Sequence, residues 1–275
     1  MTTALRPLST GELLDRTFSL YRSHFGLFVG IFALPHLAVL AYQCVQVAFQ
    51  SPGTQLSNIL LNLVWTMGAL GLTVICSYVS QAVTVAAVSQ VHFDCPASIG
   101  DSFSRVRTQI PGVIGLSILI SLGVGCGLIA LILPGVLLAL MWSLSVQAKV
   151  LENKGVIDAM SRSSDLTKGD WGRIFVIWLL FLVLGIGVSL LLRWPVEMAA
   201  GVSSIFALQR RTGGWRIALL VSTFISECLV GPLGTIAFSL VYYDERVRKE
   251  AFDLQLMMMT LDATVLPVSP VQAGA

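Results

Sequence analysis

The chain alternates between long apolar runs and short segments that hold most of its charged residues. Six of these runs are long enough to cross a bilayer, since a membrane helix needs about 20 mostly apolar residues. The pattern predicts an all-α fold, a polytopic membrane bundle of six transmembrane helices with amphipathic helices on the cytoplasmic side. The six runs are 25–49, 59–91, 110–133, 134–151, 174–192 and 217–242.

Some boundaries depend on local detail. Run 59–91 would measure about 50 Å as one helix, so we predict a single helix whose polar second half extends beyond the bilayer. Run 110–151 is divided into a hairpin at Pro134, because proline suits the first turn of a new helix. Segment 196–208 has two interpretations, a helix lying on the outer interface or a continuation of the fifth span. We expect one membrane domain over 1–262 and a disordered tail over 263–275.

Composition supports a membrane protein. Of the 275 residues, 55% are hydrophobic and only 12% are charged, whereas soluble domains carry about a quarter charged residues. Too few charges remain to cover a globular surface in water. The net charge of +2 is also too small to indicate a nucleic-acid partner.

The cationic side chains are distributed unequally between the two sides of the predicted spans. Four of the 17 lysines and arginines lie at the fifth connection, and the other 13 share the opposite side. Because lysine and arginine collect on the cytoplasmic side, we expect an inner-membrane protein with both termini in the cytoplasm. The 13 are Arg6, Arg16, Arg22, Arg105, Arg107, Lys149, Lys154, Arg162, Lys168, Arg173, Arg246, Arg248 and Lys249.

Three short segments share a pattern of an acid followed four residues later by arginine, each before a pair of spans. An acid near a helix start and an arginine at i+4 both favour the helix. Ser9 with Glu12 also fits a capping box, in which the two residues bond reciprocally at a helix N-terminus. The simplest architecture is a threefold repeat of interfacial helix plus hairpin, although short motifs also align by chance. The pairs are Glu12 and Arg16, Asp101 and Arg105, and Asp158 and Arg162.

Catalytic and metal motifs are missing from the sequence. It contains no HExxH, GxSxG or GxxxxGK[ST] pattern. The three histidines, His24, His36 and His92, fall at different predicted membrane levels, so they do not predict a metal site. We therefore expect a protein that is not an enzyme and has no cofactor.

Glu227 is the one acid deep inside a predicted span. Ionised residues at such depth usually face protein or water and are functional candidates. Pro232, one turn later, would free a backbone carbonyl beside it and kink the helix. His36 and Gln43 in the first span are candidate partners. Together they would form an intramembrane proton or cation site, and the alternative is a purely structural Glu227.

The last predicted helix continues into a charged segment that suits the membrane interface. Tyrosines and basic residues are typical of the headgroup region. Tyr243, Asp244, Arg246 and Arg248 are therefore predicted to contact lipid headgroups or a protein partner.

Three stretches together resemble a known family. They are GELLDRTFSLYRSHF near the start, AMSRSSDLTKGDWGRIF in the middle and PLGTIAFSLVYYDERVRKEAFDL near the end. They are similar to the bacterial membrane domain of glycerophosphoryl diester phosphodiesterases, and the resemblance extends over about 8–256. It implies a six-helix membrane protein of largely unassigned role. We do not expect hydrolase activity, because the acid/histidine pattern of the separate catalytic domain is absent.

Three functions are compatible with this sequence. The first is a non-catalytic scaffold or accessory module, linked to lipid or envelope processes and contacting membrane lipids and a protein partner. The second is a small transporter or channel with Glu227 in its pathway. The third is a membrane enzyme acting on lipid headgroups. The sequence alone favours the scaffold.

Overall fold

The computed structural model describes residues 9–49, 56–92, 98–207 and 213–250. Every regular element in these ranges is helical, which confirms the all-α fold. A 3₁₀ turn over Arg107–Gln109 joins α4 to α5. The helices are α1 (Thr10–Ser23), α2 (Phe25–Phe49), α3 (Leu56–His92), α4 (Ile99–Val106), α5 (Ile110–Ala130), α6 (Ile132–Met141), α7 (Ser145–Glu152), α8 (Val156–Thr167), α9 (Trp171–Ala207) and α10 (Gly213–Glu250).

Six helical stretches within the described ranges are long and apolar enough to cross a membrane. This confirms a multi-pass membrane protein with six spans. They are Phe25–Phe49, Asn58–Val91, Ile99–Ala130, Ile132–Glu152, Trp171–Ala199 and Gly214–Glu250.

Two predicted boundaries need correction. The hairpin between the third and fourth spans turns at Leu131, where the backbone is extended, and Pro134 lies in the first turn of α6. This position tolerates proline because the first amides of a helix need no partner within it. In the fifth span, α9 runs unbroken through Pro195 to Ala207. The segment 196–208 therefore continues that span up to residue 207 and is not a separate interfacial helix.

The three amphipathic segments form α1, α4 and α8; α1 and α8 each precede two spans as predicted, whereas α4 forms the start of the third spanning stretch, Ile99–Ala130. At the start of α1 the capping box is complete, since the Ser9 side chain accepts from the Glu12 amide and Glu12 accepts from the Ser9 amide. At α4 the Ser98 hydroxyl accepts from the Asp101 amide at 3.1 Å. The start of α8 has no side-chain cap on Gly155. In packing, α1 lies against α10, α4 against α3, and α8 against α7.

The protein core lies toward one end of the bundle. In the second half of α3, Ala82, Val83 and Val85 are almost fully buried, whereas Leu60 and Val64 in its first half are exposed. The polar residues of that second half are largely enclosed by protein. Large exposed leucines also cover α5 and α9, and their exposure fits helices that face lipid.

Candidate functional site

Glu227 on α10 lies beside His36 on α2. The Glu227 Oε2 atom is 3.5 Å from His36 Nε2. The imidazole is buried with 2% of its surface exposed, whereas the glutamate side chain is 39% exposed. Ser77 on α3 approaches the same nitrogen, with its hydroxyl 3.4 Å from Nε2. Three spans thus bring polar side chains to one point inside the bundle.

A second contact of the imidazole determines where its proton lies. His36 Nδ1 is 2.9 Å from the carbonyl oxygen of Phe32, one turn earlier on α2. A carbonyl only accepts, so Nδ1 carries a proton. In a neutral imidazole the other nitrogen, Nε2, is then an acceptor that faces Glu227. A carboxyl group and an imidazole nitrogen, an acid and a base, thus face each other at 3.5 Å.

Prolines interrupt the backbone hydrogen bonding of both helices near this pair. Pro35 lies inside α2 and Pro232 inside α10. Proline has no N–H, so the carbonyl four residues earlier loses its helical donor. For Pro232 that carbonyl belongs to Cys228, the residue after Glu227. The next carbonyl, of Leu229, accepts a 2.9 Å hydrogen bond from the Tyr21 hydroxyl of α1.

The His36–Glu227 pair opens onto a cavity of about 360 Å³, which we call the polar cavity. Helices α2, α3, α9 and α10 contribute its walls. Most of its lining side chains are polar, which is unusual inside membrane-spanning helices. The lining residues are Phe32, His36, Ser77, Gln81, Gly185, Ser189, Thr223, Ser226, Glu227, Val230 and Gly231.

A larger cavity of about 560 Å³ adjoins the polar cavity, and both share Gln81 and Gly231 in their linings. We call it the aromatic cavity, because Tyr78, Trp142, Trp178 and Phe238 are among its lining residues. Gln147 also lines it.

Gln147 is 2% exposed, and its side-chain oxygen has no hydrogen-bond partner in the described part of the chain. A buried acceptor without a donor is costly, so it is a feature that a bound molecule could satisfy.

The structure brings together only some of the candidate intramembrane residues. His36 and Glu227 are in contact, and Pro232 lies on α10 five residues after Glu227. Gln43 lies seven residues after His36 on α2 and lines neither cavity. Two helical turns separate it from the pair along α2, and its part in the site stays a prediction.

The acid–arginine pattern of the amphipathic helices does not produce the same contact in each copy. Arg162 was expected to pair with Asp158, but its partners are Glu152 and Glu250. This expectation was wrong for α8, because two acids of neighbouring helices approach Arg162. Burial alone would lower the pKa of Arg162, but hydrogen bonds to Glu250 and Glu152 raise it above the usual value.

In the other two amphipathic helices, α1 and α4, the acid accepts a hydrogen bond at the start of its helix. The Asp101 carboxylate accepts a 2.6 Å hydrogen bond from the Ser98 hydroxyl, and the Glu12 carboxylate accepts from the Ser9 amide at 2.9 Å. Ion pairs from these acids to Arg105 and Arg16 remain predictions.

The structure contains an ion-pair network that was not predicted from the sequence. It connects α7, α8, α9 and α10. Arg173 on α9 bonds Asp244 and lies 3.4 Å from Glu245 on α10. Both carboxylates are buried, with side-chain exposures of 1% and 0%. Arg248 approaches Asp244 at 2.8 Å, and Lys249 approaches Glu245 at 3.5 Å. Asp244 was predicted to contact lipid headgroups or a protein partner. Its carboxylate instead faces the protein interior.

Glu152 of α7 forms a second centre of this network. It accepts from Arg162 of α8 and from the Tyr242 hydroxyl of α10. Arg246 lies 3.8 Å from Glu152 and also covers the Tyr242 ring at 5.8 Å. Tyr243 is buried as well. The measured partners of these tyrosine and arginine side chains are thus within the protein.

No group of His, Cys, Asp and Glu side chains that could hold a metal ion occurs within the described ranges. A comparison with protein-family models, curated proteins and solved structures finds no match for the chain. The resemblance to the glycerophosphoryl diester phosphodiesterase membrane domain therefore stays a prediction, and function is argued from the site alone.

Proposed function

We propose that this protein is a small proton-coupled transporter whose pathway passes through the polar cavity. The observation that carries the proposal is the His36–Glu227 pair, an acid and a base that face each other inside membrane-spanning helices. Ionisable groups at this depth are expensive to keep and commonly mark ion or proton routes. The pair can release and accept one proton through the Nε2 and Oε2 atoms that face each other.

The surroundings of the pair support this function. Glu227 is partly exposed to the polar cavity, so a proton or solute can reach its carboxylate. The buried His36 is fixed on its other side by the Phe32 carbonyl. One partner is accessible and the other is positioned, which is the arrangement that proton transfer requires.

The proposal is tested with purified protein in liposomes that enclose a pH-sensitive dye. Under an imposed proton gradient, with sodium or potassium on the opposite side, we expect proton flux well above that of protein-free liposomes. Glu227→Gln should reduce the flux to background, because an amide cannot release a proton. Glu197→Gln is the matched control, since Glu197 lies in an exposed pair with Arg193. Flux that is absent, or equal in wild type and Glu227→Gln, would overturn the proposal.

A scaffold role is the second candidate, and the ion-pair network favours it. The network connects α7, α8, α9 and α10 through buried carboxylates and would make this part of the bundle rigid. A partner protein or headgroups would bind to the outer face of this part. Truncation after Glu250 removes residues 251–275 and keeps the residues of the network. Loss of a co-purifying partner on this truncation, with no flux in any assay, would favour the scaffold over the transporter.

A further inference from the structure

We infer that the two adjoining cavities bind an amphipathic organic cation, with its charged group beside Glu227 and its apolar body in the aromatic cavity. This inference rests on the proposed function, because it names the class of solute that the transporter carries. It depends on three properties of the cavities, namely the charge of their linings, the aromatic walls of one of them and the short distance between them.

The charge of the linings selects for cations. Among the lining residues that the structure describes, Glu227 is the only carboxylate, and no lysine or arginine is present. An anion would meet no positive side chain except a protonated His36, and Glu227 already accompanies that group. A cation can instead lie beside the carboxylate, where it is attracted by the negative charge.

The walls of the aromatic cavity suit an organic body. Trp142 and Trp178 line it together with Tyr78 and Phe238. Aromatic side chains bury the apolar surface of an organic body and also attract a cation that lies near their faces. The partnerless side-chain oxygen of Gln147 adds a partial negative charge on the same wall. A hydrated metal ion would use none of these apolar contacts.

The two cavities are direct neighbours. Gln81 and Gly231 belong to both linings. Gly231 is also where α10 meets α2, and an added Cβ would collide with the Phe32 ring. A volume of about 560 Å³ lies within the usual range of 300–1,000 Å³ for small-molecule sites.

The titratable groups around Glu227 give a pH dependence. His36 faces it from α2, Cys228 adjoins it on α10, Tyr21 of α1 bonds the neighbouring Leu229 carbonyl, and Tyr78 of α3 lines the adjoining cavity. None of the α9 residues that line the polar cavity is titratable. Glu227 is the only carboxylate among the lining residues that the structure describes, and a protonated carboxyl group no longer attracts a cation, so cation binding should weaken as the pH falls.

Equilibrium binding of tetraphenylphosphonium to the detergent-purified full chain tests the inference. We expect saturable binding that is at least tenfold tighter than that of tetraphenylborate, which has the same shape and the opposite charge. Tetramethylammonium, which has the charge without the aromatic body, should also bind at least tenfold more weakly. Glu227→Gln should weaken tetraphenylphosphonium binding about tenfold.

Variants in the aromatic cavity complete the test. Trp142→Ala should weaken tetraphenylphosphonium binding at least threefold, whereas Trp194→Ala should not, because Trp194 is 64% exposed and lines neither cavity. If Trp142→Ala does not fold, Trp178→Ala replaces it. Non-saturable binding, or equal affinity in wild type and Glu227→Gln, would overturn this inference. Proton flux in liposomes with sodium or potassium would still stand, so the two failures are distinguishable.

Discussion

Arg173→Met should destabilise the protein strongly, because it removes the common partner of two buried carboxylates. Methionine keeps much of the apolar stem and removes the charge. In the wild type, Arg173, Arg248 and Lys249 balance Asp244 and Glu245 together with Asp170, which lies 3.6 Å from Lys249. Without Arg173 the group has one excess negative charge.

The magnitude follows from what remains after this substitution. Breaking a buried ion pair by removing one partner costs about 3–5 kcal/mol. Asp244 keeps Arg248 at 2.8 Å and Glu245 keeps Lys249 at 3.5 Å, so we expect about 2–4 kcal/mol. At about 2–4 °C per kcal/mol for a chain of this size, the apparent Tm should fall by about 4–16 °C.

Thermal unfolding in detergent at a fixed scan rate measures this change. Arg193→Met is the matched control on the same helix, because Arg193 pairs with Glu197 at 3.5 Å with both side chains more than 40% exposed. Exposed pairs contribute about 0–1 kcal/mol. Adding Asp244→Asn to Arg173→Met restores the charge balance and should recover part of the loss. Equal Tm values for Arg173→Met and Arg193→Met would refute the reasoning.

Three further substitutions have defined outcomes. Gly231→Ala should lower the apparent Tm because the added Cβ collides with Phe32, at a cost of about 1–3 kcal/mol. Gly234→Ala is the control and should leave the apparent Tm unchanged, because nothing lies within 4 Å of a Cβ added there. Tyr242→Phe removes a buried hydrogen bond to Glu152 and should cost about 1.5–3 kcal/mol in the same assay; an unchanged Tm would show that the bond is not stabilising. Ser9→Ala should cost about 1 kcal/mol through the lost cap, measured as faster amide hydrogen exchange in the first turn of α1, and unchanged exchange there would contradict it.

Local patterns predicted most of the fold. Apolar run length determined the six spans, since a bilayer requires that length whatever the tertiary packing. The Ser9–Glu12 cap was also predictable, because it depends on residues three apart in the chain. The end of the fifth span could not be predicted from such local patterns. Arg193, Trp194 and Pro195 look like a helix end, but breaking a helix near the bilayer leaves four carbonyls without donors, and continuing through proline costs only one bond.

The candidate site was predictable only in part, for a related reason. Glu227 was conspicuous as a buried acid, and His36 was named as a candidate partner. The cavities and the ion-pair network depend on contacts between helices that are distant in sequence. Arg173 and Asp244 are 71 residues apart, and no periodicity within one helix shows which face of α10 meets α9. Asp244 therefore looked like a headgroup residue although its carboxylate is buried.

Pro232 divides α10 into two parts that make different contacts with the neighbouring helices. On one side, Asp244 and Glu245 tie the end of the helix to α9 through Arg173. Glu227 lies on the other side of Pro232. The helix bends more easily between these two parts, because Pro232 removes a backbone hydrogen bond. Bending of α10 at this level would move the carboxylate relative to His36 and leave the end that is bound by Arg173 in place. One helix thus combines an ion-paired end with a part that carries the carboxylate of the candidate site.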